Sequence, residues 1–356
     1  MSPGYRLEHV ERMCDALGMH EHALVARPRM EHGYCTDDNA RLLIMLSGEP
    51  TSDTTLRLSE LSLQFLIDAQ DPTSGLVRNR KSPEGAWLDG FTDGDWWGRA
   101  VWGMGVAAAR HPDPQIRARA LAGFECSARV RTMHAHAAAF AALGAVEVLS
   151  VGSASASARG LLTHAAALLD VPTDPAWPFP LARLTYANAA IAEALMACGE
   201  GLDRPDLVSS GLSMLIWQLQ LQLREGHLSV VPVGGLGPDE AKPLFDQQSI
   251  EVLALADASW RAWRLTREPQ WSDAVLLCRA WFIGDNDLGV QMFDERTGGG
   301  FDGLTPSGPN INQGAESTLA YIGTMQRAGE LLEAVDSPQI QALVPAPPVA
   351  QASRAR

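Results

Sequence analysis

The chain has 356 residues and a formal net charge of −14; 46% of its residues are hydrophobic and 20% are charged. This composition is typical of a folded globular protein and excludes a largely disordered chain. Lysine and arginine form no basic stripe, so we expect no nucleic-acid partner, because binding to phosphates requires clustered positive charge.

The sequence predicts a cytoplasmic protein with no contact to a membrane. Its most apolar stretch, residues 135–151, is mostly alanine and includes Glu147, so it does not suit a membrane-spanning segment. The first residues carry charges where a signal peptide would need an apolar region. The five cysteines are widely spaced and form no Cys-x-x-Cys pair, which is typical of free thiols in a reducing compartment.

Apolar spacing, capping residues and Gly or Pro stops predict twelve helices, and no run of residues has the sustained alternation of a strand. Asp53 is predicted to cap the third helix, and Gly199 and Gly284 to end the eighth and the eleventh. We expect one catalytic domain over residues 1–335 and a flexible tail over 336–356. The predicted helices cover residues 5–17, 38–47, 53–69, 97–110, 114–130, 134–149, 156–169, 184–198, 205–223, 247–265, 270–284 and 315–334.

The lengths of the connections alternate along the chain. Those that precede odd-numbered helices are short, whereas most of those that precede even-numbered helices are long. In an antiparallel array alternate connections lie at opposite ends, so the long loops gather on one face, where long ordered loops usually carry function. We therefore predict an all-α (α/α)6 barrel with six inner and six outer helices and a cleft on the long-loop face. A helical solenoid is the alternative, but the sequence has no fixed repeat length.

The starts of the even-numbered helices are rich in carboxylates, amides and aromatic residues, whereas capping a helix needs only one polar residue. Indole faces stack on the apolar faces of sugars, so a cleft with these residue types suits an oligo- or polysaccharide. The residues predicted to bind substrate are Asp95, Trp96, Trp97, Arg41, Tyr186, Asn188, Asp246, Gln247, Gln313 and Glu316.

Two carboxylates are the candidate catalytic pair. Glu251 lies one turn into the tenth helix among apolar neighbours, which favour a raised pKa and the role of general acid. Asp38 lies beside Arg41, which favours an ionised general base, with Asp37 as the alternate. Each position also suits an ordinary cap or a solvent-exposed helix face. Glu316, Asp95 and Asp246 are reserve candidates.

We predict neither a metal ion nor a cofactor. The histidines of the pairs His20/His22 and His134/His136 are two residues apart, and on a helix such side chains diverge, which disfavours a zinc site. The glycine-rich segments lack the GK[ST] sequence of a phosphate-binding loop and the strand-to-helix context of a dinucleotide site.

Several segments, spread from about residue 31 to residue 320, resemble a family of bacterial (α/α)6-barrel proteins that act on mannose-containing glycans. The family is that of the mycobacterial methylmannose polysaccharide hydrolase, an α-endomannosidase. The resemblance lies in HGYCTDDNARLL (32–43), LTYANAAIAEAL (184–195), DQQSIEVLALADA (246–258), WFIGDNDLGVQMFDERTGGGFDGL (281–304) and NQGAESTLA (312–320).

The resemblance implies a glycoside hydrolase that cleaves internal α-mannosidic bonds, α-1,4-linked, as in a methylmannose polysaccharide. Two carboxylates on such a barrel would act as acid and base with inversion. A glycoside phosphorylase is an alternative, for which Arg41 and Arg99 offer cations, and a sugar epimerase is another, for which His134 and His136 offer imidazoles. A non-catalytic glycan-binding protein would have the cleft alone. The sequence leaves the oligomeric state open.

Overall fold

The computed structural model describes residues 4–172 and 174–335. Over these residues it has twelve α-helices, as the sequence predicts, and the predicted tail over 336–356 lies outside them. The helices are α1 (Glu8–Arg12), α2 (Thr36–Leu46), α3 (Asp53–Ala69), α4 (Asp95–Arg110), α5 (Pro114–Ser127), α6 (Ala135–Ser150), α7 (Ala156–Leu168), α8 (Ala189–Leu202), α9 (Pro205–Gln222), α10 (Ser249–Thr266), α11 (Pro269–Ile283) and α12 (Ala315–Val335).

The even-numbered helices form a closed inner ring. Each contacts the next, and α12 contacts α2, which completes the circle. The odd-numbered helices pack around this ring: α3 on α2, α5 on α4, α7 on α6 and α8, α9 on α8, and α11 on α10 and α12. The short α1 packs on α12. The predicted (α/α)6 barrel is therefore confirmed, and a solenoid with open ends is excluded.

Burial distinguishes the two layers. In the inner α6 every residue from 136 to 148 is buried, and in the inner α8 every residue from 189 to 199. The outer α5 buries only one stripe, with Ile116, Ala120 and Phe124 among its members. A helix that is buried all round belongs inside a core, whereas a single apolar stripe marks a helix with one face in water.

The strands are short and lie in or next to the long loops on one face of the barrel. They form five antiparallel pairs, which the sequence analysis did not predict because runs of two or three residues show no alternation. The pairs are β1 (Ala23–Leu24) with β2 (Arg27–Pro28), β3 (Tyr34–Cys35) with β4 (Arg80–Lys81), β5 (Leu223–Arg224) with β6 (His227–Leu228), β7 (Phe293–Asp294) with β8 (Gly299–Gly300), and β9 (Gly303–Thr305) with β10 (Gly308–Asn310).

One predicted capping residue and one predicted stop residue are wrong. Ser52, not Asp53, caps α3, because its side chain accepts from the backbone N–H of Thr55. Gly199 lies inside α8, which continues to Leu202 and ends at Asp203 in the left-handed conformation. Gly284 ends α11 in that conformation as predicted.

The first helix is also shorter than predicted, five residues instead of thirteen. After α1 the chain turns back on itself, so that Cys14 pairs with Met19 across the turn and the backbone N–H of Asp15 donates to the carbonyl of Gly18. This reversal removes the second half of the predicted helix.

Helices α4 and α6 pack with their backbones in direct contact, because glycines face each other across the pair. A Cβ atom placed on Gly105 would lie 2.4 Å from the carbonyl oxygen of Gly144, and one on Gly98 would lie 2.4 Å from that of Ala137. Real Cβ atoms do not approach an oxygen this closely, so any larger residue would push the two inner helices apart.

We therefore expect Gly105→Ala to lower the free energy of unfolding by roughly 1–3 kcal/mol, the usual cost of overpacking a core. Gly329→Ala is the matched control, since Gly329 lies in α12 and a Cβ atom placed on it would have no neighbour within 4 Å. It should raise stability by about 0.5–1 kcal/mol through helix propensity alone. Urea denaturation of both variants measures the difference, and equal effects would contradict the close contact.

Candidate active site

The first turns of the inner helices line a cleft of about 530 Å³, a size common for ligand sites. Asp37 and Asp38 come from α2, Asp95 from α4, Ser249 from the start of α10, and Glu316 from α12. The long loops complete its walls. The prediction that the loop-side ends of the even-numbered helices gather on one face is confirmed.

The cleft is rich in carboxylates. Three arginines, Arg41, Arg80 and Arg99, also line it, and each lies beside at least one of the carboxylates. Acidic and amide groups that line a cavity can accept hydrogen bonds from hydroxyl groups, whereas an anionic ligand would be repelled. The carboxylates are Glu21, Asp37, Asp38, Asp95, Asp246, Asp302 and Glu316.

Arg41 bridges two carboxylates at the floor of the cleft. Its Nη1 donates to Asp38 Oδ1 at 2.6 Å, and its Nη2 donates to Glu316 Oε2 at 2.6 Å. The Cys35 thiol donates to the other oxygen of Asp38, with 3.0 Å between Sγ and Oδ2. Asp38 is 2% exposed, and this bonding fixes the orientation of its carboxylate.

Burial raises the pKa of Asp38 to about 6, and the positive charge of Arg41 offsets part of this rise. The sequence analysis weighed only the arginine and expected an ordinary ionised aspartate. The carboxylate is still mostly ionised at neutral pH, but it takes up a proton in mildly acidic solution.

Glu251 lies in the first turn of α10 with 3% of its surface exposed. The Asn188 Nδ2 group donates to its Oε2 at 2.8 Å, which ties α10 to the start of α8. Burial raises the pKa of Glu251 to about 7; the bond from Asn188 lowers it and the charge of Glu316 raises it. A raised pKa agrees with the expectation from its apolar neighbours. Glu251 does not itself line the cleft, whereas Gln248 and Ser249, just before it in the chain, do.

Aromatic residues form one side of the cleft. The Tyr186 hydroxyl donates to Asp95 Oδ2, and the ring of Tyr186 stacks on His136 with centroids 4.8 Å apart. The Trp96 Nε1 group donates to the carbonyl of Val77 at 3.0 Å, which holds the indole at the cleft wall. Burial raises the pKa of Asp95 and lowers that of His136 to about 4, so this imidazole is neutral at neutral pH.

Four of the residues predicted to bind substrate have no surface in the cleft. Trp97 is fully buried one residue beyond Trp96, and Asn188 is buried against Glu251. Gln247 is buried between Trp281, whose Nε1 donates to it at 3.0 Å, and the loop of Leu304. Gln313 is buried and accepts from the Thr297 hydroxyl at 2.7 Å. These side chains hold the loops and helix starts in place.

The structure also brings residues into the cleft that the sequence analysis did not select. Glu21 and Asp302 come from the loops before α2 and α12. Arg99, which the sequence analysis considered only as a cation for phosphate, lies one turn into α4. The sequence contains a signal for Glu21 and Asp302, since both fall in long loops that are predicted to lie on this face. Asp302 accepts from the Ser317 hydroxyl at 2.7 Å, and burial raises its pKa.

One group of potential metal ligands lies in the cleft among the described residues. Oxygen and sulfur atoms of Glu21, Cys35 and Asp38 lie within 4.8 Å of one another. Arg80 pairs with Glu21 and Arg41 with Asp38, while burial raises the pKa of the Cys35 thiol well above its usual value. A protonated thiol between two ion-paired carboxylates is a poor donor set, because metal binding requires the thiolate.

No protein-family model and no curated protein sequence matches the chain. Solved structures of the same fold do match. A sugar epimerase from a ruminal bacterium has a TM-score of 0.69 at 13% identity, with 93% of this chain and 96% of that one covered.

Cellobiose 2-epimerase from Bacillus thermoamylovorans also has a TM-score of 0.69, at 10% identity over 92% and 96% of the two chains. A GH76 α-mannanase from Bacteroides thetaiotaomicron has a TM-score of 0.59 at 10% identity over 86% and 88%. At these identities the similarity shows a shared (α/α)6 fold among carbohydrate-processing enzymes.

We expect Arg41→Met to destabilise the fold strongly, because it leaves Asp38 buried without its cation, a change that typically costs about 3–5 kcal/mol. Asp38 can escape this cost by binding a proton. Without Arg41, the pKa of Asp38 in the folded state lies still further above its value in the unfolded state. The deficit in unfolding free energy of the variant relative to wild type should therefore grow as the pH rises from 5 to 8.

Chemical denaturation at the two pH values measures the deficit. Arg296→Met is the control, since Arg296 is 87% exposed and its pair with Asp294 contributes little at any pH. A deficit for Arg41→Met that does not change with pH would contradict the role of Asp38.

Proposed function

We propose that this chain is a glycoside hydrolase that cleaves internal α-mannosidic bonds with Asp38 and Glu251 as its acid–base pair. The supporting observation is a pair of buried carboxyl groups on different inner helices, α2 and α10, with pKa values raised to about 6 and about 7. Carboxyl groups whose pKa values are raised toward neutrality by burial are typical of enzymatic general acids and bases.

In this mechanism Asp38 is ionised and accepts a proton from the attacking water, while Glu251 is protonated and donates to the oxygen of the leaving sugar. Attack by water from the face opposite to the departing oxygen inverts the configuration. The water oxygen bonds to the anomeric carbon as the bond from that carbon to the glycosidic oxygen breaks, so each cleavage consumes one water molecule.

The surrounding residues position the pair. Arg41 and Cys35 orient the carboxylate of Asp38, and Asn188 orients that of Glu251. Trp96 and Tyr186 present aromatic surface to a sugar ring, and Asp95, Asp246 and Glu316 present acceptors to its hydroxyls. Asp37 is the alternate base, and Glu316, Asp95 and Asp246 are the reserve candidates.

The proposed substrate is an α-1,4-linked, mannose-containing polysaccharide, such as a methylmannose polysaccharide. Two observations support it: the sequence segments that resemble the α-endomannosidase family, and the shared fold with a GH76 α-mannanase. The five cysteines are free thiols, which supports the proposal of a cytoplasmic location. The helices of the described residues include none that is long and apolar enough to cross a membrane.

A sugar epimerase or isomerase is the second candidate, because several similar structures are epimerases and one is a D-mannose isomerase. Epimerisation requires bases around a single sugar, often histidines. Here His134 is an exposed residue near Asp93, and His136 is buried against Tyr186. One histidine, His22, lines the cleft against seven carboxylates, and this balance favours hydrolysis.

A phosphorylase requires a free cationic pocket for phosphate. The guanidinium of Arg41 is bound to two carboxylates, and Arg99 Nε lies 3.4 Å from Asp37 Oδ1. Both cations are thus already partly neutralised. Incubation with α-mannan oligosaccharides, with and without phosphate, separates the alternatives. New reducing ends without phosphate support hydrolysis, whereas products that require phosphate support phosphorolysis. An unchanged chain length with an altered end sugar supports epimerisation, and binding without turnover supports a non-catalytic glycan-binding protein.

Glu251→Gln and Asp38→Asn should each lower kcat by about 10²–10⁴-fold, the usual effect of removing a general acid or base. The matched controls Glu60→Gln and Asp206→Asn change exposed carboxylates on the outer helices and should leave kcat unchanged. Product analysis on an active glycan and melting temperatures are measured together. A folded variant that keeps more than about a tenth of wild-type activity would remove that residue from the mechanism.

The pH dependence of kcat/KM, which reports groups of the free enzyme, should be a narrow bell. Activity rises as Asp38 loses its proton near pH 6 and falls as Glu251 loses its proton near pH 7, because the active form pairs an ionised base with a protonated acid. The residual activity of Glu251→Gln should lack the alkaline limb. Persistence of that limb in the variant would assign it to another group. Addition of EDTA should leave the wild-type profile unchanged.

A further inference from the structure

A narrow cavity runs along the axis of the barrel, behind the cleft. All six inner helices contribute to its wall, from their first turns to their last. Its volume is about 80 Å³, which is space for roughly five water molecules at 10–15 Å³ each. The cavity therefore follows the whole length of the inner ring instead of forming an isolated void between two helices.

The cavity reaches the cleft at one end. Arg41 and Arg99 line both spaces, so their side chains lie between the axial cavity and the candidate catalytic residues. Ala187 and Ile250 also line the axial cavity. The backbone of Ala187 contacts the buried Glu251, and Ile250 precedes Glu251 in the chain. Its upper end thus lies beside both members of the proposed acid–base pair.

At its other end the cavity meets a second opening, on the face where the inner helices end, here termed the closed face. This opening has a volume of about 300 Å³. The residues that line both the axial cavity and the opening are Arg110, Glu147, Trp260, Arg261, Arg264 and Glu330. The axial cavity therefore shares side chains with the cleft at one end and with the closed-face opening at the other.

The polar groups along the cavity lack partners at both ends. Among the described residues, three buried atoms make no hydrogen bond: Arg41 Nε and Arg99 Nη2 at the cleft end, and Oε2 of Glu193, whose other oxygen accepts from Arg261 near the closed-face opening. Arg99 is 2% exposed and Glu193 is 5% exposed. A buried polar atom without a protein partner is normally bonded to water, and a cavity with such atoms at both ends is hydrated.

Between these ends part of the wall is apolar, and the charged residues there, Asp257 and Arg327, are paired with each other. Ile44, Val106, Leu253, Ala254 and Leu319 line the middle of the cavity. Such a lining offers few hydrogen bonds that would trap a water molecule, whereas the charged ends attract water. This arrangement suits passage of a single file of water molecules more than storage of them.

We propose that a file of water molecules runs along the barrel axis from the closed face to Asp38 and supplies the water that each cleavage consumes. The supply role rests on the proposed function. A polysaccharide that fills the cleft covers its open side, and the axial route would let the next water reach the base from behind.

The file is tested first without substrate. Alanine methyl groups labelled with ¹³C report water through cross-relaxation, and Ala190 and Ala254 both line the cavity. Water signals at these two methyls, and none at Ala141 or Ala256 in the packed core, are the expected result. Methyls of Ala190 and Ala254 that show no contact with water would overturn the proposal whatever the enzyme's activity.

The supply role is tested with a variant that fills the cavity. Ala254→Leu should lower kcat several-fold with KM unchanged, and the control Ala254→Ser, which leaves the passage open, should keep wild-type kcat. Ala190→Val is a second filling variant if Ala254→Leu does not fold. Unchanged kcat in a folded variant whose cavity has lost its water signals would overturn the supply role. Absence of hydrolysis by the wild type would instead reject the proposed function, while the methyl signals still decide whether water fills the axis.

Discussion

Arg41 connects the first inner helix to the last at the point where the ring closes. Its guanidinium joins Asp38 on α2 to Glu316 on α12, each at 2.6 Å. The same contact orients the proposed base and shifts its charge state. Closure of the barrel and assembly of the candidate active site therefore depend on one buried cation, whose removal would leave two carboxylates facing each other near the floor of the cleft.

The common direction of the inner helices explains the distribution of charge in the rest of the structure. A helix is electropositive at its start and electronegative at its end, so carboxylates are favoured at the former and cations at the latter. Asp37, Asp38, Asp95 and Glu316 lie in first turns and face the cleft, and Arg110 lies in a last turn at the closed face. The acidic cleft thus uses the field of the ring that supports it, and Arg41 and Arg99 add cations about one turn further along the inner helices.

The helices could be predicted because proline and glycine act locally at helix ends. Their arrangement could be predicted because long and short connections alternate along the chain. The sequence could not tell which way a residue in a helix start points. Successive residues turn by about 100°, so Trp96 reaches the cleft while Trp97 enters the core. Apolar neighbours correctly indicated the raised pKa of Glu251. For Asp38 the visible arginine suggested an ordinary value, whereas burial, which depends on the whole ring, has the larger effect.

Contacts between the two ends of the described chain affect how the protein folds during translation. The Tyr321 hydroxyl donates to the carbonyl of Gly4, and His9 Nε2 bonds to the carbonyl of Gln313. These partners lie more than 300 residues apart, so an early segment must wait for nearly the whole domain to be translated before its contacts exist. Until α12 emerges from the ribosome, the exposed flanks of α2 and α10 remain apolar surfaces without a partner, and chaperones are the natural agents to cover them.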